Sequence, residues 1–290
     1  MYKRQGYTYS LSALFEKSFY FGLDLAASYT FGHSKSVYDG TSSVAYSNWK
    51  YNYAVDSNNP GLAYSMFDIP HRVMVSVGYR TPRYAKGFMA TTVSLVYNGY
   101  VGQRYSLTMN ESYYDAEKKK TVYIDYNGDG WGGNSLLYIP TEDELQKMDF
   151  KTEEDRRKFD EWIEGDSYAK KHRGAYAMRN SNSAPWENRV DLHVAQDIFV
   201  LKDRGSKFQV TFDVTNFANM LNKKWGTTYT AAYNVMPLQV IGSKKGEDGN
   251  YTNTYAYNSR NTITKNDVLS RWHAPVSYTH LRAHETAANL

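Results

Sequence analysis

Three oxygen-bearing side chains at alternate positions form the segment with the clearest potential for binding chemistry. Asp125, Asn127 and Asp129 stand in an Asp-x-Asn-x-Asp-Gly pattern, in which Gly130 supplies a sharp turn. Carboxylate and amide oxygens at this spacing are the ligands of calcium loops. The twelfth position of such a loop is Leu136, which offers no bidentate carboxylate. The segment therefore predicts either a calcium site or a turn without metal, since Asp, Asn and Gly form turns unaided.

The remaining motifs give no support to catalysis. Gly128, Gly130 and Gly133 spell G-x-G-x-x-G, but the dinucleotide fingerprint needs a helix after it, and Asn-Ser-Leu-Leu-Tyr-Ile-Pro is a poor helix. His280 and His284 have an i,i+4 spacing without the H-E-x-x-H pattern of zinc enzymes. The sequence contains no Cys, no G-x-S-x-G and no P-loop. We therefore expect no enzyme, and no cofactor beyond calcium at 125–130.

Composition narrows the class of protein. The 290 residues are 41% hydrophobic and include 28 Tyr, which is too many large apolar side chains for a disordered chain. The 34 Lys and Arg exceed the 30 Asp and Glu by only four, so charge does not indicate a nucleic-acid partner. No run of about 18 apolar residues predicts a transmembrane helix. Two classes remain: a soluble β protein, and a membrane β-barrel that hides its hydrophobicity in alternation.

Alternation of apolar and polar residues predicts about seven β-strands. Between 19 and 31 the odd positions are apolar and the even positions are small or polar, as in a strand with one buried face. This run has 13 residues, enough to cross a membrane, for which about 9–11 suffice. Strands of a soluble β-sandwich are shorter, at about 5–6 residues. The other alternating segments are 7–15, 73–79, 89–97, 190–194, 208–214 and one that begins near Asp267 and includes Trp272.

The connections between these strands alternate in length. Short turns lie near 16–19, 81–87 and 201–207, whereas long loops span about 33–69, 103–188 and 217–267. Antiparallel strands then place all short turns at one end and all long loops at the other, as in outer-membrane barrels. The basic and aromatic residues at 80–86 fit a short turn near lipid headgroups better than a nucleic-acid site. A soluble β-sandwich is the alternative, since its inward face would alternate equally well.

The polar positions of the same strands are candidate lumen residues. They are Asp24, Arg80, Asp191, His193 and Asp213. In a barrel, positions opposite the lipid-facing stripe border the lumen. There they would pair with one another, contact a plug, or contact the solute.

The long loop at 103–188 contains two predicted helix starts. Thr141 precedes Glu142 and Glu144, and Thr152 precedes an acidic run. A threonine oxygen caps free amides, and acidic residues favour the positive end of the helix dipole. We therefore expect short helices in this loop, on an acidic and solvated surface.

Several short segments, in a consistent order and spacing over about residues 5 to 273, resemble one family. They are 43–49 (Ser-Val-Ala-Tyr-Ser-Asn-Trp), 67–73 (Phe-Asp-Ile-Pro-His-Arg-Val), 125–130 followed by 137–140 (Leu-Tyr-Ile-Pro), 173–174, 179–180, 185–191 (Pro-Trp-Glu-Asn-Arg-Val-Asp), 212–216 with 221–222, and 225–226. With these segments, the chain resembles the C-terminal part of TonB-dependent outer-membrane receptors. The resemblance is to the Oar-like group, which often carries an N-terminal carboxypeptidase-regulatory-like domain.

The resemblance implies a fold and a domain organisation. The family has a 22-stranded barrel closed by an N-terminal plug, so residues 1–274 would supply about seven C-terminal strands. Met1 is then expected to be internal to a longer reading frame, which agrees with a start that does not look like a signal peptide. The segment 275–290 departs from the family, which ends on alternating apolar residues and a terminal aromatic. It resembles translated adapter read-through; a divergent tail is the alternative.

The resemblance also implies a function. The chain would belong to a transporter in the outer membrane of a Gram-negative bacterium, surrounded by lipid, and would move a bulky solute. The transporter would be energised by a TonB complex that acts through the N-terminal region. The alternative is a carbohydrate- or peptide-binding or adhesion β protein that transports nothing. Aromatic residues at 46–53 and 225–234 would either grip the solute or pack the loops together.

Overall fold

A computed structural model describes residues 6–201, 206–230, 234–247, 249–258, 264–266, 271–273 and 276–279. The strands are β1 (Gly6–Ser18), β2 (Leu23–Ser36), β3 (Ala63–Tyr64), β4 (His71–Arg80), β5 (Met89–Tyr100), β6 (Arg104–Asn110), β7 (Ser112–Asp115), β8 (Lys120–Tyr123), β9 (Tyr138–Ile139), β10 (Ala175–Tyr176), β11 (Asn182–Ser183), β12 (Glu187–Leu201), β13 (Ser206–Thr215), β14 (Thr228–Thr230), β15 (Asn234–Lys245), β16 (Tyr251–Tyr257), β17 (Thr264–Asn266), β18 (Arg271–His273) and β19 (Val276–Thr279). The helices are α1 (Ala45–Lys50), α2 (Glu142–Lys147), α3 (Glu153–Gly165) and α4 (Phe217–Leu221), with a 3-10 turn at Ala169–Lys171. In this part of the chain, no helix has the length and hydropathy of a membrane-spanning helix.

The longest strands form one antiparallel sheet, here called the wall. Its order is β1-β2-β4-β5-β12-β13, with β18 and β19 on the far side of β13 and β3 added to β2. Among the described residues β1 and the β18/β19 pair are the two edges, so the wall is an open sheet, as expected of part of a barrel. The predicted antiparallel barrel segment of about seven strands is confirmed.

The far edge of the wall includes part of the chain's last segment. β18 falls within the predicted seventh strand, whose residues 267–270 lie outside the described part. β19 pairs with β13, where Tyr278 lies opposite Phe208. Residues 275 and 280–290 are not among the described ones. The non-native origin of 275–290 therefore stays a prediction.

The register places the apolar residues of successive strands on one face of the wall. Leu95 on β5 lies between Val77 on β4 and Leu192 on β12. Leu192 in turn lies opposite Val214 on β13. Because side chains alternate between the two faces of a sheet, this row repeats at every second residue along the strands. The wall therefore has one apolar face and one polar face.

The first turn differs from its prediction. The alternating run at 19–31 was expected to be a single strand, but β2 begins at Leu23 and residues 19–22 form the turn. Gly22 has φ +93°, and a Cβ on it would lie 2.2 Å from the Arg80 carbonyl oxygen. That conformation favours glycine, so the turn is fixed by Gly22 and lies just after the predicted position near 16–19. The aromatic Tyr20 therefore projects from the turn, fully exposed.

The two ends of the wall differ as predicted. The connections at 19–22, 81–88 and 202–205 are short, whereas 37–70, 101–186 and 216–270 are long. Since the wall strands are antiparallel, all short connections lie at one end and all long ones at the other. The long-loop end corresponds to the extracellular side of an outer-membrane barrel.

Within the described residues the apolar face carries no second sheet, although the loop after β13 folds over its long-loop end. Six apolar side chains would be buried in a β-sandwich but would face lipid in a barrel. All six are exposed or half-buried: Val73, Val75, Val77, Phe208, Val210 and Phe212. Four of them keep 40% or more of their surface exposed, whereas the facing sheet of a sandwich would bury them. Among the described residues, no second sheet packs over this face. The soluble sandwich is therefore the wrong architecture.

The long loops pack into a lobe with its own hydrophobic core. β6 lies between β11 and a parallel β15, and β16 extends this small sheet. Thr141 caps α2 in a complete capping box with Glu144, and Thr152 caps α3, which confirms the predicted helix starts. Each fully buried Leu, Ile or Phe contributes about 1.5–3 kcal/mol. The core consists of Tyr105, Leu107, Leu137, Ile139, Leu145, Phe150, Phe159, Ile163, Ala169, Ala177, Val235 and Leu238.

Candidate functional site

Three of the candidate lumen residues lie in one row across the polar face. His193 and Asp213 are cross-strand neighbours, and His193 Nδ1 forms a hydrogen bond with Asp213 Oδ1. The same row continues through Ser94 and Gly78 to Asp24 on β2. The wall therefore aligns two carboxylates and an imidazole on the side opposite the apolar face.

Arg80 belongs to a second polar cluster, nearer the short-turn end. Its Nη2 donates to Asp197 Oδ2 at 2.6 Å. Lys207 Nζ and Gln209 Nε2 donate to Asp197 Oδ1 at 2.9 and 2.8 Å. Asp197 is only 1% exposed, and burying its charge is tolerable because cations and an amide satisfy both oxygens. Asp197, Lys207 and Gln209 were not among the predicted lumen residues, although they continue the same period-2 pattern.

Asp191 and Asp24 are the remaining candidate lumen residues. Asp191 Oδ1 accepts the Asn216 amide at 2.8 Å, and Asp191 Oδ2 lies 3.1 Å from Arg189 Nε. Asp191 therefore ties the start of the last long loop to the wall. Asp24 and Arg80 line a shallow cavity of about 410 Å³ on the polar face. That the five candidates border a lumen stays a prediction.

Buried ion pairs fasten the lobe to the end of the wall. Asp68 Oδ2 accepts Arg104 Nε and Nη2 at 2.9 and 2.7 Å, and Asp68 Oδ1 accepts the Ser34 amide at 2.6 Å. The Arg104 guanidinium also lies 4.1 Å from the centre of the Tyr64 ring. These residues come from β2, β3, β6 and the loop before β4, so the pair joins four segments. We call this group the junction.

A second pair extends the junction. Arg179 Nη1 donates to Asp39 Oδ2 at 2.9 Å, and Asn180 Nδ2 donates to the same oxygen at 3.2 Å. Burial lowers the pKa of Arg179, an effect that Asp39 opposes. The side chains of Asp39 and Arg179 line a cavity of about 290 Å³ between the first and second long loops. Since each cation is already paired with a carboxylate, this cavity is suited to a neutral polar ligand more than to an anion.

A tyrosine-lined cleft of about 400 Å³ opens in the lobe. The rings of Tyr138 and Tyr176 meet edge to face, with centroids 5.1 Å apart. Glu144 accepts the Thr141 amide at 2.9 Å and the Tyr138 hydroxyl at 3.0 Å, and these hydrogen bonds lower the pKa of Glu144. The cleft therefore combines aromatic faces with an ionised acceptor. Its lining includes Tyr126, Tyr138, Tyr176, Tyr255, Glu144 and Met148.

The candidate calcium ligands lie together in a tight turn. The Asp125 carboxylate accepts the amides of Asp129 and Gly130 at 2.9 and 3.0 Å. Asp129 Oδ1 accepts the Trp131 amide at 2.6 Å, and its Oδ2 accepts Asn127 Nδ2 at 3.1 Å. Within the described residues, no group of three or more His, Cys, Asp or Glu side chains is arranged to hold a metal. The geometry is that of a hydrogen-bonded turn, and calcium binding stays a prediction.

Glu111 is a buried carboxylate beside this turn that sequence analysis missed. Its Oε2 accepts the Tyr126 amide at 2.9 Å, and its Oε1 accepts the Ser135 amide at 3.2 Å. The residue has no exposed surface. Burial raises the pKa of Glu111, and the hydrogen bonds offset part of that rise. No pattern in the sequence marks it, because its partners are 15 and 24 residues away.

The chain is similar to a family of known proteins. A family model described as "Outer membrane beta barrel domain" matches residues 2–269. The match covers the strands from β1 to β17 and all three long loops up to residue 269. No curated protein and no solved structure matches the chain.

Proposed function

Since the chain belongs to the outer membrane beta barrel domain family, and so to the outer membrane of Gram-negative bacteria, we propose that it is part of a TonB-dependent transporter. The transporter moves a bulky solute across that membrane. It belongs to the Oar-like group, and its TonB complex acts through a region N-terminal to this chain.

The polar face of the wall is the observation that carries the proposal. It bears the hydrogen bond between His193 and Asp213 and a buried ionic cluster around Asp197, and polar groups of this kind line the interior of a barrel. In a plugged barrel they anchor the plug or line the solute's path. We assign Asp24, Arg80, Asp191, His193 and Asp213 to this lumen surface. The family-like segments over residues 5 to 273 support the same assignment.

The tyrosine-lined cleft is the proposed first contact for the solute. Tyr176 is 53% exposed, so its ring is free to stack on an aromatic, a sugar ring or a peptide side chain. Glu144 offers a charged acceptor beside it. This combination suits a carbohydrate or a peptide.

Coupling to TonB is the direct test. The reading frame is extended upstream, and the full-length protein is cross-linked in cells to TonB. We expect a cross-linked complex that disappears when a short N-terminal TonB-binding segment is deleted. Barrel folding is the control, measured by resistance to extraction and to protease. A folded full-length protein that never contacts TonB contradicts the proposal.

A binding or adhesion protein that transports nothing is the second candidate, because the cleft would serve it equally well. The two functions differ in their energy requirement. Solute accumulation by a transporter stops when TonB is deleted, whereas adhesion through the cleft continues. Tyr176→Ala impairs both functions, and Tyr114→Ala, an exposed tyrosine outside the cleft, is the matched control.

A further inference from the structure

A groove of about 600 Å³ lies on the apolar face of the wall, at its long-loop end. Leu95 and Val190 of the wall form its floor, and the loop after β13 closes it with Phe217, Leu221 and Trp225. Leu95 is in the apolar row described above, so the floor is continuous with the lipid-facing surface. The volume falls within the range of about 300–1,000 Å³ that small-molecule sites occupy. We call it the rim groove.

The loop that closes the rim groove is held in place by two buried asparagines. Asn216, in a left-handed conformation at φ +58°, donates from Nδ2 to the Gly226 carbonyl at 3.0 Å. Asn219 Nδ2 donates to the carbonyls of Lys223 and Trp225 at 3.2 and 3.0 Å. Trp225 nevertheless keeps 52% of its surface exposed. The groove is therefore preformed, and a ligand would not have to order the loop.

The charge of the groove is positive. Among the described residues that line it, Lys224 is the only charged one, and Lys223 precedes it in the chain. Among the described residues, no carboxylate forms an ion pair with Lys224. Tryptophan and lysine at the boundary between hydrocarbon and water are typical of membrane interfaces, where lysine attracts anionic headgroups.

We infer that the rim groove binds a phosphorylated glycolipid of the outer leaflet, of the lipid A class. An acyl chain lies on Leu95 and Val190, the sugar packs against Trp225, and a phosphate approaches Lys224. The outer leaflet of the Gram-negative outer membrane consists largely of such lipids. A barrel in that membrane therefore meets them at this height. The inference depends on the location of the wall in the membrane and not on transport.

Native mass spectrometry of the full-length protein in mild detergent tests the inference. The probe is bisphosphorylated lipid A, compared with dephosphorylated lipid A and with inorganic phosphate. We expect retention of bisphosphorylated lipid A to fall about tenfold in Lys224→Glu, since reversing one lysine removes an attraction and adds a repulsion. Trp225→Ala should also weaken retention, and Trp225→Phe should largely restore it.

Lys151→Glu is the matched control, because Lys151 is an exposed lysine of the lobe outside the groove. It should retain lipid A as the wild type does. Folding of each variant is checked by the heat-dependent migration of the barrel in gels. Equal retention by wild type and a folded Lys224→Glu overturns the inference. So does equal binding of dephosphorylated lipid A, or displacement of the lipid by inorganic phosphate at matched concentration.

Discussion

Removal of the Asp68 carboxylate should loosen the attachment of the lobe to the wall. In Asp68→Ala the guanidinium of Arg104, which is 8% exposed, loses both of its short carboxylate contacts. Breaking a buried ion pair by removing one partner costs about 3–5 kcal/mol. Because about 1.4 kcal/mol corresponds to a factor of ten, the local opening equilibrium should rise by roughly two to nearly four orders of magnitude.

Hydrogen–deuterium exchange of the detergent-solubilised protein measures this change. Faster exchange is expected in peptides that cover β3, β6 and the end of β2, while the centre of the wall stays protected. Asp115→Ala is the control, because Asp115 pairs with an exposed lysine in a hairpin of the lobe. The double variant Asp68→Leu/Arg104→Met should recover most of the protection, since apolar replacements remove both charges. Unchanged exchange in Asp68→Ala would refute the reasoning. So would a double variant whose peptides exchange as fast as those of the single variant.

Three further predictions concern the loops. Glu111 has a raised pKa in the folded protein, so its folded state binds the proton more tightly than the unfolded chain. The free energy of local unfolding around Glu111 should therefore fall as pH rises above about 4.5. Glu111→Gln should abolish this pH dependence, as measured by hydrogen–deuterium exchange. Asp125→Ala should expose the amides of Asp129 and Gly130 to exchange; added calcium should slow exchange in the wild type alone if the turn binds the ion. Gly226→Ala should destabilise the loop that closes the rim groove by about 1–3 kcal/mol, because its Cβ would lie 1.8 Å from Asn216 Oδ1. Gly61→Ala, where a Cβ meets nothing within 4 Å, should have little effect in the same exchange assay.

The parts of the fold that depend on local patterns could be predicted from the sequence. Period-2 alternation located the wall strands, because one face meets an apolar environment throughout. The caps of α2 and α3 were predictable because Thr141 and Thr152 lie three residues from the amides they accept. The first turn was misplaced because Phe19 and Phe21 continue the alternation into a segment whose geometry is decided by Gly22.

Long-range pairing explains what the sequence analysis missed. Arg80 and Asp197 are separated by 117 residues, and only the register of two strand pairs, β4 with β5 and β5 with β12, brings them together. The parallel pairing of β6 with β15 likewise cannot be predicted from either local sequence. The tyrosine-lined cleft draws its rings from four separate segments, so the abundance of tyrosine alone gave no indication of which rings would meet.

The central claim is that the apolar face of the wall contacts lipid hydrocarbon while the polar face contacts water. The sequence contains no Cys, so single cysteines at Val75, Ser76 and Val77 of β4 can carry spin labels in the full-length protein in liposomes. Accessibility to oxygen, which concentrates in lipid, is compared with accessibility to a water-soluble nickel chelate. Labels at 75 and 77 should respond mainly to oxygen and the label at 76 mainly to nickel. Similar responses at all three positions, or the opposite alternation, would contradict the account.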